Sequence, residues 1–456
     1  MALNDESKSF YKSLVTIVIP IVIQNFITAA VGSTDVIMLS FVSQTALAAV
    51  SLANQIQFLL TMIFTGLSSG LVMLSSQYWG KRDTYSLKAL LGIALRSSLS
   101  CGILSGVITT LFPSLIMRIF TFDEALIENG AIYLRVVGIS YVFLSVSSVF
   151  HAMMRSIERV KTTATITLIS LSLNVFLNAC FIFGLFSFPK CGVLGVGIAT
   201  SISRLVETFL CIIIAKRIRV ADLSLNALFV KNRVLFKDFI RYSLPALANE
   251  LIWGAALVAY SAILGHTGED IVAANSVISA IRNLTAVVYL GMAYGGAIIL
   301  GGQIGSGALD LAARNASRLV KSTIAVGFLS AILLYSLKPL LPYVATLSPS
   351  AADYRDKLLL INCFSSLGSS INAVLICGVF RAGGDSKYGF KIDTIIMWFV
   401  SVPLGLIASY LLKLSPVWIY FILYLDEYEK MPFVIKHYFK RGWLKNITRD
   451  KTELNE

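Results

Sequence analysis

The sequence predicts an all-α polytopic membrane protein of twelve transmembrane helices, in two six-helix lobes related by a pseudo-two-fold axis along the membrane normal. Three observations predict it. Hydrophobic residues make up 56% of the 456-residue chain and charged residues only 14%, against roughly 25% charged in a soluble domain, and the mean hydropathy is +0.78. Apolar runs long enough to cross the hydrocarbon core, which takes about 20 helical residues, recur along nearly the whole length. The chain also matches itself at an offset of 225 to 226 residues, close to half its length.

In order, the apolar runs place spans at 13–40, 46–78, 87–112, 130–154, 162–187, 193–215, 236–264, 271–304, 315–341, 357–380, 390–412 and 416–435. They are long and continuous rather than short and alternating, which points to helices and not to a barrel. The first run is too long for a cleavable signal peptide and leads directly into the next span. Positively charged loops stay cytoplasmic, and placing both termini inside puts most of the 38 Lys and Arg residues on that side. The expected location is the cell membrane. The formal net charge of +13 then reflects basic loops and a basic tail facing anionic headgroups, with no nucleic-acid motif to make nucleic acid a partner. The six cysteines, with no C-x-x-C pair, read as small core residues.

The self-match carries the domain organisation. Pro20 faces Pro245, Gly66 and Gly70 face Gly291 and Gly295, and one residue further on Gln77 meets Gln303, Arg155 meets Arg381 and Lys161 meets Lys387. Six spans per half return the chain to the same side, so the halves have parallel topology and surround a central cavity suited to alternating access. The expected divisions are a first lobe at 1–215, a cytoplasmic linker at 216–235, a second lobe at 236–435 and a basic cytoplasmic tail at 436–456.

Two carboxylates sit where membrane helices rarely keep them. An ionised acid at the centre of a span costs about 2.5–3.5 kcal/mol on insertion scales, and the usual escape is a water-filled cavity or a bound cation. Asp35, in VGSTDVIMLS, follows Pro20 by 15 residues, roughly 22 Å along a helix. The bland alternative for Asp35 is an interfacial residue bonded to Ser33 or Thr34. Glu250, in LPALANELIWG, lies near the middle of its span, and its bland alternative is a structural partner for Arg282 or another helix. The repeat counterparts of Glu250 and Asp35 are Asn25 and Tyr260, so each lobe holds one acid at a different depth. Asn25 and Asn249 could complete an oxygen shell for Na+ at Asp35 or Glu250. Pro20 and Pro245 each remove a helical hydrogen bond and are the expected hinges.

Four segments together resemble the MATE family, the multidrug and toxic compound extrusion transporters, over residues 10 to 412: the first helix from Pro20 to Asp35, the second ending Gln77-Tyr-Trp-Gly80, the run Asn174-Val-Phe-Leu-Asn178 continuing to Gly184, and Arg381-Ala-Gly-Gly-Asp385-Ser-Lys387. The resemblance implies a two-lobed secondary antiporter that exports amphipathic, often cationic organic compounds in exchange for H+ or Na+, with no cofactor. It also implies coupling roles for Asp35 and Glu250. Many proton-coupled members carry an aspartate where Asn178 stands here, and an amide does not titrate, which leaves the ion open between H+ and Na+. Asn174 and Asn178 join the ion-coupling candidates on this ground.

A site for greasy cations combines aromatic faces and adaptable methionines, and Tyr141, Met153, Met154, Tyr260, Met292 and Tyr294 are the candidates. A monomer is expected. The runner-up is a lipid-linked oligosaccharide flippase of the same superfamily, which wants basic cavity residues for a pyrophosphate; only Arg135, Arg204 and Arg282 are read as lying within spans. Arg204 and Glu207, three apart, are expected to pair on one helix face. Asp393 is expected to favour the start of its helix, and Arg155, Lys161, Arg381 and Lys387 to be solvated loop residues. An intramembrane enzyme is the distant alternative. His151, His266 and His437 are too widely spaced for H-E-x-x-H zinc chemistry, Ala382 breaks a G-x-G-D motif, and no Walker loop occurs.

Overall fold

Long helical runs account for the first eleven predicted spans in the computed structural model. It describes residues 2–218, 230, 232–344, 347–450 and 452–453; the side chains of 2–4, 33, 35–37, 343 and 344, including that of Asp35, and most of the 216–235 linker lie outside the described residues. The helices are α1 (Ala2–Ser40), α2 (Gln44–Gly80), α3 (Thr84–Leu111), α4 (Glu124–Ser156), α5 (Val160–Phe183), α6 (Gly192–Arg217), α7 (Arg233–Gly265), α8 (Glu269–Gly305), α9 (Leu309–Ser336), α10 (Pro349–Ala373), α11 (Ser386–Asp393), α12 (Pro416–Tyr424) and α13 (Asp426–Phe439). Wider π-type turns prolong α10 through Val374–Phe380 and α11 through Thr394–Ser401.

Their ends follow from local chemistry. Asp83 caps α3 by accepting from the Tyr85 and Ser86 amides at 3.1 Å each, and Asp123 caps α4 by accepting from Ala125 and Leu126. Ser348 caps α10 with Pro349 in its first turn. Gly184, at φ +74°, ends α5 in the left-handed conformation that glycine adopts without strain. Eleven runs of the described residues are long and apolar enough to cross a membrane. The twelfth predicted span is a pair of shorter helices meeting at Leu425, because Asp426, Glu427, Glu429 and Lys430 enter it. Carboxylates suit a helix start, where the dipole is positive.

The chain divides into two compact units. Unit 1 comprises Met1–Val22, Gly80–Arg82 and Leu244–Thr448; unit 2 comprises Ile23–Trp79, Asp83–Ser243 and Arg449–Glu456. Each has its own apolar core, Tyr260, Ile278, Leu358, Met397 and Tyr420 lying in that of unit 1 and Val50, Leu134, Val137 and Tyr141 in that of unit 2. Both α1 and α7 change unit part-way along, at Val22/Ile23 and Ser243/Leu244. Pro20 and Pro245 stand within two residues of those crossings.

The repeat glycines show the symmetry in packing. A Cβ at Gly295 of α8 would lie 2.7 Å from Cγ2 of Val18, in unit 1, and one at Gly70 of α2 would run into Oγ of Ser243, in unit 2. Val18 and Ser243 are themselves repeat counterparts, so one close approach of helix to helix occurs twice. Gly295→Leu is expected to cost about 1–3 kcal/mol by overpacking, read as earlier thermal aggregation of the detergent-purified protein; wild-type stability would refute that contact.

After the last helix the chain returns to unit 2. There Arg449 grips Asp238 of α7 through Nε and Nη2 at 2.5 and 2.9 Å, and its backbone N–H donates to the Tyr78 hydroxyl. The Asp238 hydrogen bond raises the pKa of the Arg449 guanidinium, fixing its charge more firmly.

Candidate functional site

Polar groups concentrate in two places, one in each unit. In unit 2, α1, α2, α4, α5 and α6 surround a cavity of about 230 Å³. Thr28, Asn54, Gln57, Tyr133 and Asn174 line it with hydrogen-bonding groups, and among its described lining residues only Arg204 is charged. Tyr133 donates to Asn54 Oδ1 at 3.0 Å, and Asn178 donates to Asn174 Oδ1 at 3.3 Å, so the two predicted asparagines of α5 act together. One of them faces the cavity; Asn178 is fully buried behind it. Asn25 is half-buried on α1, one residue from Gln24, which donates to Thr167 at 2.8 Å.

The Arg204 guanidinium pairs with Glu207 at 2.9 Å, as the three-residue spacing predicted. A residue that the spacing could not reveal completes the group: His151 Nε2 lies 3.0 Å from the other Glu207 oxygen.

In unit 1 the acids and bases form one chain of contacts across four elements. Glu250 pairs with Arg381 at 3.0 Å, its side chain 16% exposed. Arg381 also donates to Asn249 Oδ1 at 3.0 Å, Asn249 donates to Asp393 at 2.6 Å, and Lys430 bridges Asp393 and Asp426 at 3.1 and 3.0 Å. The expectation of a solvated Arg381 is corrected here. Its side chain is 4% exposed, because the π-type turns before it carry position 381 into the interior, where a bare guanidinium would be costly and a carboxylate compensates it. Lys430 and Arg381 also add to the three arginines read as lying within spans. Arg282, the partner first considered for Glu250, instead lies 4.9 Å over the Tyr424 ring.

The aromatic and methionine candidates pack into the units' interiors. Tyr141 belongs to the unit 2 core and Tyr260 to that of unit 1, while Met153, Met154 and Met292 are buried and Tyr294 is half-buried. None of the six lines the unit 2 cavity. Among the described residues no group of three His, Cys, Asp or Glu is set to hold a metal.

The MatE family profile matches residues 20–180 and 245–407, one match in each half. The chain belongs to the MATE family. It is 23% identical over 434 residues to the uncharacterized transporter YisQ of Bacillus subtilis (strain 168), covering 95% of each chain. It is 27% identical over 413 residues to the probable multidrug resistance protein NorM of Pasteurella multocida (strain Pm70), covering 86% of this chain and 85% of that one. A crystal structure of an aspartate-to-asparagine mutant of the Vibrio cholerae MATE transporter VcmN superposes with a TM-score of 0.87 at 16% identity, over 96% of this chain and 99% of that one; at that identity the likeness is one of fold. This MATE protein is thus a multi-pass membrane transporter of the multidrug efflux family, with the twelve-helix, two-lobe architecture that the repeat predicted, and not an enzyme.

Proposed function

We propose that this MATE transporter exports amphipathic organic cations in exchange for H+ or Na+, by alternating access of two six-helix lobes, residues 1–215 and 236–435, joined by the linker 216–235 and followed by the basic tail 436–456. It works as a monomer in the cell membrane with both termini in the cytoplasm. One observation carries the reading: position 35 lies three residues after Gly32 and four before Leu39, both of which line the polar unit 2 cavity, and the helical period puts such positions on one face. On this reading the acid of α1 acts from that helix face, where a carboxylate beside a polar hollow can exchange an ion with water. Asn174, which lines the same cavity, Asn178 and Asn25 are the proposed oxygen ligands of the ion. Pro20 and Pro245, standing at the unit crossings of α1 and α7, are the hinges.

In unit 1 the coupling element is a network rather than Glu250 alone. Three carboxylates, Glu250, Asp393 and Asp426, meet two cations, Arg381 and Lys430. Full ionisation would leave a surplus negative charge in the membrane interior, which a proton or Na+ relieves. Tyr141, Met153, Met154, Tyr260, Met292 and Tyr294 remain proposed as substrate contacts in conformations that open the unit interiors. The flippase alternative gains little, since Arg381, Lys430 and Arg204 each already face a carboxylate.

The deciding experiment is transport of a fluorescent organic cation in reconstituted vesicles under a proton gradient and a sodium gradient imposed separately. Export driven by one of them supports the reading; none under either refutes it. Glu250→Gln is expected to lower transport or abolish its ion dependence by about tenfold, within the range of a coupling energy of about 1–3 kcal/mol. An unchanged ion response would make the Glu250–Arg381 pair purely structural.

A further inference from the structure

The group formed by His151, Glu207 and Arg204 has the parts of an ion switch. His151 on α4 and Glu207 on α6 are both buried, so their 3.0 Å contact is made away from water. An imidazole that turns Nε2–H toward a carboxylate leaves Nδ1 as its base, and His151 Nδ1 is buried with no hydrogen-bond partner. Glu207 holds Arg204 with its other oxygen, and Arg204, its side chain 25% exposed, is at the same time a wall residue of the unit 2 cavity. The line runs from an unused base, through one shared carboxylate, to a cation at the cavity.

We propose that His151 is a proton-binding site of this transporter, and that a proton on it expels an organic cation from the unit 2 cavity by releasing the Arg204 charge into that space. With His151 neutral, one carboxylate faces one cation and the group is uncharged. A proton at Nδ1 makes an imidazolium, so Glu207 must be shared between two cations and the group carries one net positive charge beside the cavity. An organic cation there meets electrostatic repulsion it did not meet before. Proton and cargo then compete without touching the same atom, which is what exchange requires.

Few other groups bear on this imidazole. From α6 it meets Glu207, whose own neighbours on that helix are Arg204, its ion-pair partner, and Cys211 one turn beyond. The register of α3 against α4, in which a Cβ at Gly102 would meet Ser145 and one at Gly106 would meet Gly138, makes Arg96 the nearest titratable residue on α3. Between Lys161 and Cys180, at its two ends, α5 carries no titratable residue, and α4 itself adds Arg155 one turn on.

The cargo half of this inference rests on the proposed export of organic cations; the proton half does not, and two measurements separate them. Ethidium binding to the nanodisc-embedded protein is measured between roughly pH 5 and 8, the range in which histidine changes charge. Wild-type affinity is expected to fall about tenfold toward the acid end, as the added positive charge repels the cation. The fall should be much shallower in His151→Gln, and Glu207→Gln should bind weakly throughout. An undiminished fall in His151→Gln overturns the switch, whereas no ethidium binding by the wild type at any pH overturns the cargo reading. Histidine side-chain NMR of the wild-type protein, which has three histidines, decides the proton site whatever the cargo. The His151 signal is expected to report proton uptake over the pH interval in which ethidium is lost, and to change its pH response in Arg204→Gln, where a competing cation is gone. A His151 signal that stays flat, or a pH response indifferent to Arg204, refutes the site.

Discussion

Arg381→Met should destabilise the protein by about 3 kcal/mol, toward the lower end of the cost of breaking a buried ion pair, because Glu250 is only half-buried. Glu250 loses its ion-pair partner at 3.0 Å, and Asn249, which accepts from Arg381 while donating to Asp393, loses one of its two anchors. The damage should therefore reach Lys430 through Asp393. Thermal unfolding in detergent, followed by size-exclusion chromatography, reads the effect. The informative companion is the double variant Arg381→Met with Glu250→Gln, which removes both charges and should recover most of the loss, since an apolar or neutral pair in place of a buried ion pair is often tolerated. A single variant as stable as the wild type would mean that Glu250 already finds solvent or another cation.

The second large effect is functional. Asp35→Asn is expected to abolish coupled export while leaving expression and membrane insertion at wild-type levels, because an amide keeps the size of the carboxyl and one acceptor oxygen but neither ionises nor titrates. Efflux of a fluorescent cation from vesicles, normalised to the amount of folded protein, checks it. Wild-type efflux by the variant would remove α1 from the coupling mechanism. Loss of folded protein together with efflux would instead make Asp35 a structural residue.

Both variants bear on what a sequence can and cannot disclose. The existence and order of the first eleven spans were legible, because a bilayer demands a long apolar run and hydropathy records it directly, whereas the twelfth is broken at Leu425. The Arg204–Glu207 pair was legible too, since three residues along a helix are neighbours by geometry. His151 was not, being 56 residues from Glu207, and only the packing of α4 on α6 brings them together. Arg381 was misread for a related reason. Its position after a long apolar run is that of a loop cation, and nothing local announces the π-type turns that carry it inward or the partner on α7. Asp393 was taken as a helix-start residue, whereas its contacts with Asn249 and Lys430 make it a junction of the unit 1 network. Lys430 hides in the same way, inside the span whose charges break it at Leu425.

The crossing of α1 between units has a consequence for biosynthesis. Unit 1 takes Met1–Val22 from the start of the chain and Leu244–Thr448 from its second half, and synthesis proceeds from the N-terminus. The opening turns of α1 thus enter the bilayer long before α8 and α9, whose Gly291, Gly295, Arg314 and Arg318 receive Val22, Val18 and Glu6. Until those helices are made, that stretch must rest in lipid or on an insertion chaperone. A gene cut in the linker would yield two fragments, neither of which contains all the parts of either compact unit.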